Sequence, residues 1–130
     1  MTQKEELSFY YRISDIVLFN NISKTNLYNN LTFSTPVGTA ISNATIVNEY
    51  GLVSLILNNK VIEDITYFLK DGCIFYTSSL ENQDIDNIPP ENYYIFNITG
   101  GSQKYINATG KVYFYVDKDL IRYVKIFVEY

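Results

Sequence analysis

The sequence predicts an all-β fold, a meander of short antiparallel strands curled into a barrel. Tyr, Phe, Ile, Val and Thr, which suit a pleated and half-buried surface, are abundant along the whole chain. Turn chemistry recurs at short intervals, as in "EYG" at 49–51, "NNK" at 58–60, "KDG" at 70–72 and "DKD" at 117–119. No segment sustains a helical period with capping residues, and "TQKEEL" near the N-terminus is long enough for one turn only.

In chain order, strands are expected near Leu7–Phe19, Leu27–Ser34, Val37–Asn48, Leu52–Asn58, Val61–Leu69, Cys73–Ser79, Tyr93–Ile98, Lys111–Val116 and Leu120–Glu129. Each is rich in β-branched and aromatic residues, and most are followed within two residues by Asn, Gly, Asp or Pro. The long connection "LENQDIDNIPPEN", 80–92, is read as a loop, because its carboxylates and Pro89-Pro90 oppose regular structure. Eight or nine such strands make a barrel or a sandwich. The barrel is favoured because an open sheet leaves adhesive edges, and few prolines or charges are placed to blunt them here.

Composition sets outer limits. The 130 residues are read as a single domain, 1–130, and 47% hydrophobic content is enough to build a core. A net charge of -4 repels phosphate, so nucleic acid is not an expected partner. The chain has no histidine, the commonest general base and metal ligand, and no metal or cofactor is expected. Cys73 is the lone cysteine, so no internal disulfide can form; it reads as a small apolar side chain at a strand start. The charged start "MTQKEELSFYY" is not a signal peptide, and no apolar run nears the roughly 20 residues of a membrane helix, so no membrane span is expected. A cytoplasmic or virion location follows as an expectation.

Alternation in the last two strands separates inside from outside. Val112, Phe114 and Val116 share one face, and Val124, Ile126 and Val128 share one on the next strand; these should face the core. Tyr113, Tyr115, Tyr123 and Phe127 then point outward. With "LVSLIL" at 52–57 apolar on both faces, part of the outer wall should be covered, most simply by another subunit.

Among candidate site residues, Asp15 lies between Ile13 and Val17 on one face of the expected first strand, beside Tyr11. Desolvated inside a barrel, its carboxyl would have a raised pKa and serve as an acid; the alternative is a surface acid, or one paired with Arg12 or Arg122. Tyr11, Tyr67 and Tyr76 come from different strands and would line a cavity, or pack in the core or an interface. Glu63 and Asp64 are adjacent, so only one of them can enter the interior. The acids of the long loop, Glu81, Asp84, Asp86 and Glu91, lack the spacing and glycine of a calcium loop.

One stretch carries a further signal. "ITGGSQKY" at 98–105, followed by "ATG" at 108–110, lies between two aromatic strands. It resembles the "GGTGKF" or "GGSGxF" motif and the following "ArG" of the allene oxide cyclase and dirigent barrel superfamily. "FYYRISDI" at 9–16, "PVGTAISNATIV" at 36–47 and "LKDGCIFYTSSL" at 69–80 are similar, in order, to other strands of that group, so the resemblance spans most of the chain. It implies a single eight-stranded antiparallel barrel with a central cavity, commonly a homotrimer. Some departures bear on activity. Gln103 replaces the third glycine, Thr109 the pocket arginine of "ArG", and Ser14 the histidine of the dirigent "HDI", leaving Asp15.

Two function classes follow. With those residues replaced and an adhesive exterior expected, the first is a non-catalytic structural or interaction module, such as a virion or surface assembly component. The second is a small-molecule barrel, dirigent-like or cyclase-like, acting on an apolar or phenolic ligand through Asp15, Tyr11, Tyr67 and Tyr76. The state of the interior separates them: an interior plugged by Phe and Leu excludes the second.

Overall fold

The computed structural model describes residues 2–50, 57–81, 93–117 and 119–130. Nine strands are present among them: β1 (Lys4–Arg12), β2 (Val17–Phe19), β3 (Ile22–Leu27), β4 (Gly38–Tyr50), β5 (Leu57–Leu69), β6 (Gly72–Glu81), β7 (Tyr94–Gln103), β8 (Thr109–Val116) and β9 (Ile121–Glu129). All pairings are antiparallel, and the order across the sheet is β1-β9-β8-β7-β6-β5-β4-β3-β2. The chain is therefore a meander whose first strand returns to lie beside its last. The sheet curls until β1 meets the chain just past β3 at an isolated bridge. There the Tyr10 N–H donates to the Tyr28 carbonyl at 2.7 Å, and the Tyr28 N–H donates back at 3.0 Å.

β7 is the corner of the curl. Tyr94–Asn97 pair with Phe114–Lys111 of β8, whereas Ile98–Gln103 pair with Tyr76–Gly72 of β6. Between them the register shifts: Phe75 faces Gly100 and Tyr76 faces Ile98, which leaves Thr99 as the extra residue of a bulge. A bulge bends one strand so that it can serve two sheet directions. This is the structural use of the glycine-rich stretch. A Cβ at Gly101 would lie 2.2 Å from the Tyr105 carbonyl oxygen and 2.7 Å from that of Cys73, so only glycine allows the approach. Gly110 opens β8 at φ +135°, with the Phe127 carbonyl oxygen 1.9 Å from where a Cβ would stand. The strand expected at Tyr93–Ile98 runs on through the glycines: β7 continues to Gln103, which itself takes φ 55°.

The core lies between the inward faces. Val112 and Phe114 of β8 and Val124, Ile126 and Val128 of β9 are buried as alternation required, facing Phe9, Leu27, Tyr67, Ile74 and Ile98. Each fully buried aliphatic side chain contributes roughly 1.5–3 kcal/mol. The side chain of Val116 lies outside the described residues.

Several expected boundaries are corrected. Leu7–Phe19 is not one strand; a turn of 3-10 helix, Ile13–Asp15, breaks it, with the Ile16 N–H on the Ile13 carbonyl at 3.2 Å. The strand expected at Leu27–Ser34 ends at Leu27. Asn30 then turns the chain by accepting from the Thr32 N–H at 3.1 Å, the local bond that lets Asn compete with a ladder. "NNK" at 58–60 is not a turn but lies in β5, opposite Glu49–Val47 of β4, so long-range pairing overrides local preference. Residues 52–56 of the strand expected at Leu52–Asn58 lie outside the described residues, as does most of the acidic loop. The short β2 brings the strands to nine rather than eight.

Candidate ligand site inside the barrel

Along each strand, the inward face changes from apolar to polar toward one end. On β9 it reads Val128, Ile126, Val124, then Arg122; on β1, Phe9 then Tyr11; on β5, Tyr67, Ile65, then Glu63; on β6, Ile74, Tyr76, then Ser78. The register aligns the polar members: Tyr11 is opposite Arg122, Glu63 opposite Ser78, and Ile65 opposite both Tyr76 and Ser42. They enclose a recess of about 60 Å3, lined by Tyr11, Tyr67, Tyr76, Ser42, Glu63 and Arg122, with Ile16, Ser23, Thr25, Ala40 and Ile65 completing it. That volume holds about two water molecules at roughly 30 Å3 each.

The three tyrosines expected in a cavity are brought together here. Tyr67 and Tyr76 are both buried, their hydroxyls 2.7 Å apart and their rings edge to face at 5.3 Å. Phe9 packs on the edge of Tyr67, and Phe96 stacks on Tyr76. Burial, and then neighbouring tyrosines, raise both phenols well above the ordinary value, so both stay protonated at physiological pH. One hydroxyl donates to the other, which leaves the second proton able to donate into the recess. Ser23 and Ser42, paired across β3 and β4, share a hydroxyl hydrogen bond at its margin.

Asp15 is not in the recess, which corrects its expected place mid-strand. The 3-10 turn carries it outward, where it is exposed and accepts from Arg12 Nε at 2.7 Å. This is the surface pairing that the sequence held open. The acid in the interior is Glu63: burial raises its pKa, and Arg122 partly offsets the rise. Its neighbour Asp64 points outward and accepts from the Thr77 hydroxyl at 3.1 Å.

Arg122 is the residue that sequence reasoning passed over. Alternation backward from Val124 points it inward, but its charge suggests a surface place. The Nη1 of Arg122 donates to the Tyr11 hydroxyl at a long 3.4 Å, and its guanidinium lies over the rings of Tyr11 at 5.7 Å and Phe114 at 5.4 Å. Its Nε is buried with no hydrogen-bond partner among the described residues. Desolvation lowers its pKa, while Tyr11, Glu63 and Tyr67 raise it by more; it is always charged. An arginine thus enters the interior from β9 rather than from the position of Thr109. Among the described residues, no three His, Cys, Asp or Glu side chains group to hold a metal.

The outer face of β1, β9 and β8 carries a second feature, a cleft of about 540 Å3. Tyr10, Tyr123 and Tyr115 form one wall, with Tyr115 and Tyr123 stacked at 4.7 Å; Tyr93, Tyr113 and Phe127 form the other. The outward assignment of Tyr113, Tyr115, Tyr123 and Phe127 therefore holds. Cys73 is partly buried near the start of β6. No described helix is long and apolar enough to cross a membrane.

No protein family matches the sequence, and no curated protein sequence does. Solved structures do match. A pyocyanin demethylase aligns over 98% of this chain and 99% of its own, with TM-score 0.58 and 15% identity. A pterocarpan synthase dirigent protein aligns over 99% of this chain and 86% of its own, with TM-score 0.60 and 17% identity. The chain has the dirigent-like barrel fold that the glycine motif implied. Likeness at this identity is a likeness of fold.

Proposed function

We propose that the protein is a small-molecule-binding barrel, taking the polar end of a phenolic or otherwise largely apolar ligand in the recess between Tyr11, Tyr67 and Tyr76. The convergence of those three buried tyrosines carries the reading. A core built for stability alone would fill this end with aliphatic side chains, since buried polar groups gain little net free energy even when paired. Phe9, Leu27 and Phe114 fill the interior beside the recess, but no Phe or Leu lines the recess itself. Two proteins of the same fold are named for pyocyanin demethylation and pterocarpan synthesis, so the fold hosts small-molecule chemistry. At about 60 Å3 the recess fits a polar head. The apolar body would lie toward the partly exposed Ile16 and Ile65.

The test is a titration of protein carrying 13C-labelled tyrosine with phenol and 4-ethylphenol, followed by NMR. Shifts at Tyr11, Tyr67 and Tyr76 are expected. Shifts confined to Tyr113, Tyr115 and Tyr123, or no binding at millimolar ligand, would overturn the proposal.

A second reading, a homo-oligomer such as the trimer implied by the resemblance, is supported by the outer cleft. Phe127 is 42% exposed and Tyr93 is 58% exposed there, beside half-buried tyrosines, and a second copy would cover them. Binding and assembly use opposite faces of β9 and are compatible.

A further inference from the structure

We infer that the ligand is an organic carboxylate whose anionic head is held side-on by Arg122; the inference rests on the binding function proposed above and names its ligand class. A guanidinium is permanently charged and can only donate, so its removal from water has to be compensated by acceptors. Arg122 lacks them. Its Nε has no partner among the described residues, and its Nη1 reaches only the Tyr11 hydroxyl, at 3.4 Å.

The nearby countercharge does not close the gap. The ion pairs among the described residues are Arg12–Asp15, Lys104–Glu5 and Lys125–Glu6, so Arg122 and Glu63 share the recess without a direct pair. The rings of Tyr11 and Phe114 stabilise the charge through their faces but accept no N–H bond in the guanidinium plane.

The unpartnered Nε favours one acceptor geometry. A carboxylate offers two coplanar oxygens, the geometry that fits an arginine fork with two parallel N–H bonds. A recess of about 60 Å3 accommodates that head and little more. The surplus proton of the Tyr67–Tyr76 hydroxyl pair can donate to the same anion. A neutral alcohol can satisfy a tyrosine or Glu63, but it offers Arg122 one uncharged acceptor only.

The experiment compares two ligands of nearly equal shape, 4-ethylbenzoate and 4-ethylbenzyl alcohol, by calorimetry at pH 7.5 on wild type and on Arg122→Gln. Wild type should prefer the benzoate by about tenfold or more, the step that one charge-assisted contact readily supplies. Arg122→Gln should lose that preference, its affinity for the benzoate falling to no more than that for the alcohol. Equal affinities in wild type would overturn the carboxylate inference and leave the binding function standing. Failure of both ligands to bind would overturn both. Sodium acetate binding as tightly as 4-ethylbenzoate would overturn the organic part, leaving a site for small anions only. The wild-type comparison decides the matter even if Arg122→Gln does not fold.

Discussion

Replacing Arg122 with methionine should make the unliganded protein more stable. What the guanidinium contributes can be itemised. It makes two ring contacts, at 5.7 and 5.4 Å; both lie near the outer limit of about 6 Å, so about 1 kcal/mol each applies rather than the roughly 2 kcal/mol of a close desolvated pair. It makes one hydrogen bond at 3.4 Å, long enough that about 1 kcal/mol is a ceiling. Against this sum of about 2–3 kcal/mol stands the cost of holding a charge out of water, several kcal/mol per ion in proteins. No direct ion pair among the described residues offsets that cost; Tyr11, Glu63 and Tyr67 favour the charged over the neutral guanidine, but an apolar side chain needs neither form to be held out of water. Methionine conserves the length of the side chain and can fill the same irregular space.

The expected net gain is about 1–2 kcal/mol, at the low end of what is seen when buried ions give way to apolar groups. With an unfolding entropy of about 2.1 cal/mol/K per residue, a chain of 130 residues should then melt about 4–7 °C higher. Circular dichroism melts, with urea titrations as a check, read this directly. A fall in melting temperature would refute the reasoning. It would mean that Arg122 is fully compensated in the resting fold, and that its Nε is not waiting for an anion. A gain, together with lost preference for the carboxylate, is the trade between stability and function expected of a site residue.

Three other perturbations probe the same picture. Below its ordinary value of 4.5, Glu63 is protonated in both states and its contribution to stability is full; as pH rises the unfolded chain releases its proton first, so stability is lost until the raised folded value is passed. Glu63→Gln should remove that step from a plot of urea midpoint against pH, and parallel curves for the two proteins would show that Glu63 is not desolvated. Gly101→Ala should cost at least about 3 kcal/mol or prevent folding, because its Cβ would meet two carbonyl oxygens, whereas Gly100→Ala, whose Cβ would meet only Phe75 Cδ2 at 3.7 Å, should stay within about 1 kcal/mol. Tyr115→Asp with Phe127→Asp should turn an oligomer into a folded monomer in light scattering, and a monomeric wild type would discard the assembly reading.

How much of this was legible follows from what period-2 alternation can and cannot encode. It placed Val112, Phe114, Val124, Ile126 and Val128 inside and their neighbours outside, because burial of one face fixes the register of a strand. The same rule places Arg122 inside, two residues before Val124, but a lone charge at the end of an apolar row is indistinguishable from a residue leaving the sheet. Asp15 was misplaced for the opposite reason. Phe9, Tyr11, Ile13 and Val17 keep a strand's alternation across Ile13–Asp15, where a side-chain clamp from Arg12 accompanies a local turn. The physics assigned to Asp15, a carboxyl raised by desolvation, holds at Glu63 instead. The bulge at Thr99 had a visible mark, the adjacent glycines, but which strand bends is set by pairing with β6 and β8 and not by local sequence.

The division of labour along the strands explains why the fold was the easier reading. Leu27, Ile74, Val112, Ile126 and Val128, all at 2% exposure or less, give the apolar end enough buried surface to fix the topology. The polar end can then carry groups that add little or cost stability, such as the tyrosine pair, Glu63 and the incompletely partnered Arg122. Apolar patterning repeats over many residues and survives the loss of any one of them. The recess rests on one to three residues each from β1, β3, β4, β5, β6 and β9, which meet only after β7 has turned the corner and β1 has closed on β9. The meeting of Tyr11 and Arg122, 111 positions apart, is set by that closure, so the site's chemistry emerges from topology before it emerges from any motif.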